Sequence, residues 1–321
     1  MPRALKKNRK SLEPVASDIT LSWRDRRPHV LSSIPVNFLS KTLQFEVKEN
    51  ARAQGQLYKA DNLLLMQALM KSHKGKIDLI YIDPPFKTER DFLTSEKAKR
   101  GSKKVELAYQ DKWHSSGQSF WQFMWERLCL MYELLSPRGS LYLHCDYRTA
   151  APLKLMIDEI FGVDNYVNEI IWAYKTGGNS KTLGFAKKHD IIHFVAKDRE
   201  RVCWNSQEEK SYLSHNYGFK NIKLHKDEGG IYNYVGMRDV WDIPALRGNQ
   251  PERVNYPTQK PEALLERIIQ ASTKPGYLVA DFFCGSGTTG VVAKRLKRKW
   301  LLSDREALAV KTTKERFKLL D

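Results

Sequence analysis

The sequence predicts an α/β fold: a doubly wound, mostly parallel sheet of seven strands, helices on both faces, and a polar insertion before the last quarter of the chain. Three observations carry this expectation. Short apolar, β-branched runs alternate with longer stretches of helical periodicity, as in a parallel sheet covered by helices. The 321 residues are 41% hydrophobic and 28% charged, enough to bury a substantial core, and a wholly disordered chain is excluded. No internal repeat or low-complexity tract competes with that pattern.

In chain order, strands are expected at 55–59, 77–82, 140–144, 169–174, 190–196, 277–283 and 300–303. A helix with a buried face is expected over 119–135, ended by Ser136-Pro-Arg-Gly139. Another opens at Pro261 and runs to 272, with Leu264, Leu265, Ile268 and Ile269 on one face. A third helical run, 291–298, follows a glycine-rich turn.

Two stretches break the rhythm. Residues 87–117 are long, polar and basic, with Lys87, Arg90, Lys97, Lys99, Arg100, Lys103 and Lys104, and read either as a structureless lid tracking a phosphate backbone or as a solvated loop. Residues 197–255 mix aromatic residues, asparagines and charges without periodicity, as an inserted recognition segment or a surface excursion would. The expected organisation is a basic, partly disordered arm (1–35), one half of the main domain (36–197), the recognition region (198–255) and the other half (256–321).

Lys plus Arg number 54 against 37 Asp plus Glu, a formal +17 that favours a polyanionic partner. Cys129, Cys145, Cys203 and Cys284 form no CxxC pair and no zinc spacing, so reduced thiols and a cytoplasmic setting are expected. No apolar stretch approaches the length of a membrane span, and the N-terminus lacks the apolar region of a secretory signal.

The sharpest local signal is Asp83-Pro84-Pro85-Phe86, immediately after the apolar run 77–82. Ligands of open parallel sheets sit outside the carboxyl ends of the strands, where this tetrapeptide falls. Two prolines remove both N–H donors and leave a carbonyl that only accepts, so Asp83 and the Pro84 carbonyl offer two acceptors. The matching substrate is an aromatic amine: its lone pair is delocalised into the ring, and holding both hydrogens frees that pair to attack an electrophilic methyl. Phe86 offers a face for stacking. No metal is expected. Alone, the tetrapeptide reads equally as a strand stop with a buried phenylalanine.

A second signal, Asp281-Phe-Phe-Cys-Gly-Ser-Gly-Thr-Thr-Gly290, follows an apolar strand and opens a helix. Gly285 and Gly287 permit a tight turn and close approach of a ligand, and the spacing fits neither the dinucleotide nor the P-loop pattern. One strand later, Asp304 is placed to accept both hydroxyls of a ribose.

With Tyr256-Pro-Thr-Gln-Lys-Pro261 between them, these motifs resemble the β class of amino-methyltransferases of restriction-modification systems, whose circular permutation puts D-P-P-F before F-x-G-S-G-T-T. The likeness runs from about residue 55 to the C-terminus and includes Asn168-Glu-Ile-Ile-Trp172 and the region before His189-Asp-Ile-Ile192. It implies the permuted fold of S-adenosylmethionine-dependent methyltransferases, with Asp83, Pro84, Pro85 and Phe86 as the catalytic motif. It further implies cofactor contacts from Asp281, Phe283, Gly285, Gly287 and Thr288 on the methionine side, Asp304 at the ribose, Asp61 near the adenine, and Thr258, Gln259, Lys260 and Pro261 along the site. Asp61 also reads as a helix N-cap. The chain departs from the class pattern at Phe282, where proline is usual, at Tyr256, where histidine is usual, and at Phe86, where tyrosine is commoner.

The resemblance implies transfer to adenine N6 of a flipped-out base in double-stranded DNA, since aspartate heads the motif; serine is commoner in cytosine-N4 enzymes, which remain the alternative. RNA or protein amine methyltransferases usually place the glycine-rich turn first, and a silent DNA-binding subunit would not need an intact Asp83. A homodimer and a cognate restriction endonuclease are the partners such enzymes suggest. Arg201, Lys210, Lys220, Lys223, Lys226, Arg238, Arg247 and Arg253 of the recognition region are candidate phosphate or base contacts.

Overall fold

All seven expected strands form, and they lie side by side in one sheet. The computed structural model describes residues 21–23, 25–27, 44–48, 55–87, 90–97, 103–111, 119–174, 183–213, 223–247, 250–254 and 256–320. Its first half contains β1 (Gln44–Lys48), β2 (Gly55–Lys59), α1 (Asn62–His73), β3 (Ile77–Ile82), β4 (Arg90–Lys97), β5 (Lys103–Asp111), α2 (Phe120–Leu134), β6 (Leu135–Cys145), α3 (Ala150–Phe161), β7 (Tyr166–Ala173) and β8 (His189–Ala196). Then come β9 (Glu208–Tyr212), β10 (His225–Asp227), β11 (Gly230–Gly236), β12 (Val240–Asp242), α4 (Glu262–Ser272), β13 (Leu278–Asp281), α5 (Thr288–Arg295), β14 (Lys299–Asp304) and α6 (Ala307–Lys318).

The main sheet runs β1-β2-β14-β13-β3-β6-β8-β7-β12. From β2 to β6 every pairing is parallel; β8 runs antiparallel to both β6 and β7, and β1 and β12 extend the two edges. All six residues of β3 are buried, which explains its nearly unbroken apolar run. Ile80 and Ile82 enter the core shared with α1, α2 and α3, whereas Leu79 and Tyr81 enter the core shared with α4, α5 and α6. The exception in β3, Asp78, is buried but satisfied by Ser136 Oγ (3.0 Å), Arg138 Nε (2.8 Å) and the Leu278 amide (3.0 Å). On α4, the expected stripe of Leu264, Leu265, Ile268 and Ile269 is wholly buried.

Two expectations change, and two further regions gain detail. The lid is not structureless, because β4 and β5 pair as an antiparallel hairpin; charged runs hid its strand character. Ser136-Pro-Arg-Gly139 does not stop at a turn, since Leu135 already pairs with Ile77 and the four residues lie within β6, with an irregularity in its register. Of the arm, residues 21–23 and 25–27 are described and docked: Trp23 packs edge-on against Trp125, Arg26 pairs with Glu159, and Asp25 accepts the Ser119 amide (2.8 Å) at the start of α2. The rest of the arm lies outside the described residues. Within 198–255, β9, β10 and β11 form a separate three-stranded sheet, while β12 joins the main sheet beside β7.

Candidate active site

Parallel pairing puts the ends of β2, β3, β6, β7, β13 and β14 at one edge of the sheet, and the antiparallel β8 begins there. A cavity of about 480 Å³ lies along that edge. Each strand contributes to it: Asp61 after β2, Asp83 to Phe86 after β3, Asp146 and Arg148 after β6, Tyr174 after β7, Asp190 in β8, Asp281 to Ser286 at and after β13, and Asp304 ending β14. The size is ordinary for a small-molecule site.

Asp83 is held asymmetrically. One oxygen, Oδ2, is paired with the Lys260 ammonium, while Oδ1 is buried with no hydrogen-bond partner among the described residues. Burying an acceptor unpaired costs about 1–3 kcal/mol, so this atom is a place where a donor is missing. Behind it, His144 Nδ1 lies 3.9 Å from Asp83 Oδ1 and 2.9 Å from the Tyr81 hydroxyl, and His144 Nε2 lies 3.1 Å from Asp190 Oδ2. The Tyr174 hydroxyl donates to the other Asp190 oxygen (3.1 Å). Burial raises the Asp190 carboxyl, but the His144 hydrogen bond and charge and the nearby Lys260 outweigh it and hold the group below its ordinary value. The Phe86 ring sits 5.6 Å from His144, with the Lys260 ammonium 5.5 Å from its centroid.

The other end is built from backbone. Gly285 has φ +50, and an added Cβ would come within 3.3 Å of the Tyr256 ring. The Gly285 amide donates to Asp304 Oδ2 and the Glu306 amide to Oδ1, both at 2.9 Å. Asp281 accepts from the Phe283 amide (2.9 Å) and the Thr289 hydroxyl (2.5 Å). Burial pushes Asp281 up to about 7 and Asp304 up to about 6. Asp61 caps α1 by accepting the Leu63 amide (2.9 Å) and also lines the cavity, so its two readings coexist. Two non-glycine residues with left-handed backbone flank the site, Lys87 (φ 54) and Thr258 (φ 63).

Residues 77–315 match the family model of the N6/N4 DNA methylases. The chain belongs to that family. It is 26% identical to the type II methyltransferase M.EcaI of Enterobacter cloacae, over 96% of this chain and 79% of the relative. It is 27% identical to the type II methyltransferase M.HpaI of Haemophilus parainfluenzae (78% and 71%) and 28% identical to the DNA adenine methyltransferase YhdJ of Escherichia coli K12 (73% and 73%). Among solved structures, the M1.HpyAVI–SAM complex (TM-score 0.53, 20% identity, 81% of this chain and 98% of that one) and the cytosine-N4-specific PvuII DNA methyltransferase (0.55, 18%, 82% and 86%) share the fold. The methylase has the methyltransferase sheet expected from its motif order.

Most of the residues singled out in the sequence meet in the methylase cavity; a few do other work. Gly287 and Pro261 are not among its lining residues. Gly287 (φ +78) is small because a Cβ there would come within 2.6 Å of the Thr313 side chain, so its constraint is helix packing and not ligand approach. Pro261 is the N-cap residue of α4. Gln259 lines the cavity, yet its amide holds a loop, accepting from the Val254 amide and donating to the Glu252 carbonyl, both at 2.7 Å. Lys260 reaches across to Asp83. In the recognition region, Arg201 pairs with Asp198 (2.7 Å), Lys210 with Asp227 (2.5 Å) and Arg238 with Glu209; Lys220 lies outside the described residues.

Motif reading missed the methylase's interior polar framework. Asn62 donates to the Phe282 carbonyl (2.9 Å) and accepts from Arg127 Nε (2.6 Å), tying the glycine-rich turn to α2. Burial lowers the Arg127 guanidinium to about 10, against the pull of Asp61. His144 and Asp146 were findable by the rule that exposed Asp83, because they close the next strand of the sheet.

Proposed function

We propose that this methylase transfers the methyl group of S-adenosylmethionine to the N6 amine of an adenine flipped out of duplex DNA, as the cytoplasmic modification enzyme of a restriction-modification system. The observation that carries the reading is the buried, unpartnered Oδ1 of Asp83 beside a motif of two prolines. An amine donates one hydrogen to Asp83 Oδ1 and the other to the Pro84 carbonyl, and the lone pair is freed for attack. Because Pro85 has no N–H, the Pro84–Pro85 peptide unit offers the site an acceptor and no donor. The Lys260 ammonium holds the second Asp83 oxygen and keeps the carboxylate in place as an acceptor. Phe86 supplies the stacking face. As the C–N bond forms, the methyl–sulfur bond would break with its electron pair left on a neutral thioether, and the amine proton passes to Asp83 Oδ1.

The cofactor fits the other half of the cavity. Each Asp304 oxygen accepts one backbone N–H and retains a lone pair for a ribose hydroxyl. Gly285 leaves the backbone bare beside Tyr256, and Asp61, Asp281 and Phe283 complete the lining. Bound there, S-adenosylmethionine supplies an electrophilic methyl on a cationic sulfur, a charge these carboxylates favour. Gly287, Thr288 and Pro261 support this surface, and Thr258 to Lys260 join it to the catalytic motif.

Adenine is favoured by the aspartate heading the motif and by the similarity to an E. coli DNA adenine methyltransferase. Incubation with labelled S-adenosylmethionine and mixed-sequence duplex DNA, followed by digestion and mass separation of the nucleosides, tests the choice. N6-methyladenine is expected. N4-methylcytosine would keep the mechanism and change the base, and the absence of any labelled nucleoside would refute DNA as the substrate.

A further inference from the structure

Leu183 and Phe185 are large apolar side chains, fully exposed among the described residues, and they precede by a few positions a segment that borders the cavity. They bracket Gly184, which has φ +103 and open space where a Cβ would sit. The segment is anchored where the chemistry is. The Tyr174 amide donates to the Lys188 carbonyl (3.0 Å), the Lys187 ammonium lies 4.5 Å from the Tyr147 ring centroid, and Tyr174, Asp190, Asp146 and Arg148 line the cavity. Exposed apolar residues with cationic neighbours match a polyanion that has apolar surface inside it, which is a base stack between phosphates.

We propose that Leu183 and Phe185 form a wedge that enters the duplex and fills the gap left by the flipped base, while Lys187 meets a flanking phosphate. The proposal rests on the base-flipping reading of the active site. Opening a pair costs stacking and pairing energy, and an inserted apolar side chain recovers part of it by covering the exposed base faces. The wedge therefore acts on access of the base to Asp83 and not on cofactor binding or methyl transfer.

The test uses the full chain and the Leu183→Ala/Phe185→Ala double variant on a short duplex carrying the site that the wild-type protein methylates, with the target base paired or opposite an abasic position. Single-turnover methylation of the paired duplex should fall about ten- to a hundredfold, while the abasic duplex, which needs little opening, recovers most of the rate. S-adenosylmethionine binding by calorimetry should be unchanged, and Phe185→Trp should keep activity. Unchanged rates on the paired duplex, or equal losses on both duplexes, would overturn the wedge and leave the active-site reading standing. A wild-type protein that methylates no DNA would overturn that reading and the wedge with it.

Discussion

The two oxygens of Asp83 have unequal surroundings, and this asymmetry makes the residue testable. Asp83→Ala removes the acceptor that the amine needs but touches nothing near Asp304, so turnover should drop by at least about a hundredfold while the cofactor dissociation constant moves little. A matching loss of cofactor affinity in calorimetry would assign the carboxylate a structural role. Asp304 gives the complementary case. Its carboxyl is pushed up to about 6 by burial, above the ordinary carboxylate value of 3.8. A ribose diol donates to the ionised form, so cofactor affinity should be full above about pH 6 and weaken as the pH falls below it, by up to tenfold per unit. Asp304→Asn should flatten that profile in a calorimetric titration. Profiles of equal slope in both proteins would remove Asp304 from the ribose.

At the scale of elements, the turn between β13 and α5 shows how one motif serves two demands. Gly285 faces the cavity, whereas Gly287 lies against Thr313 of α6, with φ +78 and room for no Cβ. Gly287→Ala combines left-handed strain with overpacking, at about 1–3 kcal/mol, and should lower the melting temperature by several degrees in a thermal scan. A normal melting temperature together with lost cofactor affinity would return Gly287 to the ligand. A glycine pair is visible in sequence; which glycine answers to the ligand and which to a helix far along the chain is not. The β4–β5 hairpin is a different case: Val105, Leu107 and Tyr109 alternate with Glu106, Ala108 and Gln110, a strand pattern masked by the charged residues around it.

For the whole molecule, the formal charge of +17 is the property with the widest reach. Affinity for non-specific duplex DNA should fall by roughly a thousandfold between about 50 and 200 mM salt if six or more phosphates are neutralised, a slope that fluorescence anisotropy measures directly. A flat response would mean that the basic residues are spent internally, as Arg201, Lys210 and Arg238 already are.

The strand order could not be derived from periodicity, yet the seven strands, the helix face of α4, the D-P-P-F turn after β3 and the glycine-rich turn were legible, because each is a local pattern imposed by burial or backbone geometry. Asp83 and Asp304 were legible for a related reason, as polar residues at the carboxyl ends of apolar strands. What only the tertiary structure decided is partnership. Lys260, 177 positions away in sequence, pairs with Asp83; His144 and Asp190 stand behind it; Asn62 and Arg127 tie the glycine-rich turn to α2. Such partners are chosen by the packing of whole strands and helices, and no spacing along the chain encodes a contact that exists only once the sheet has closed.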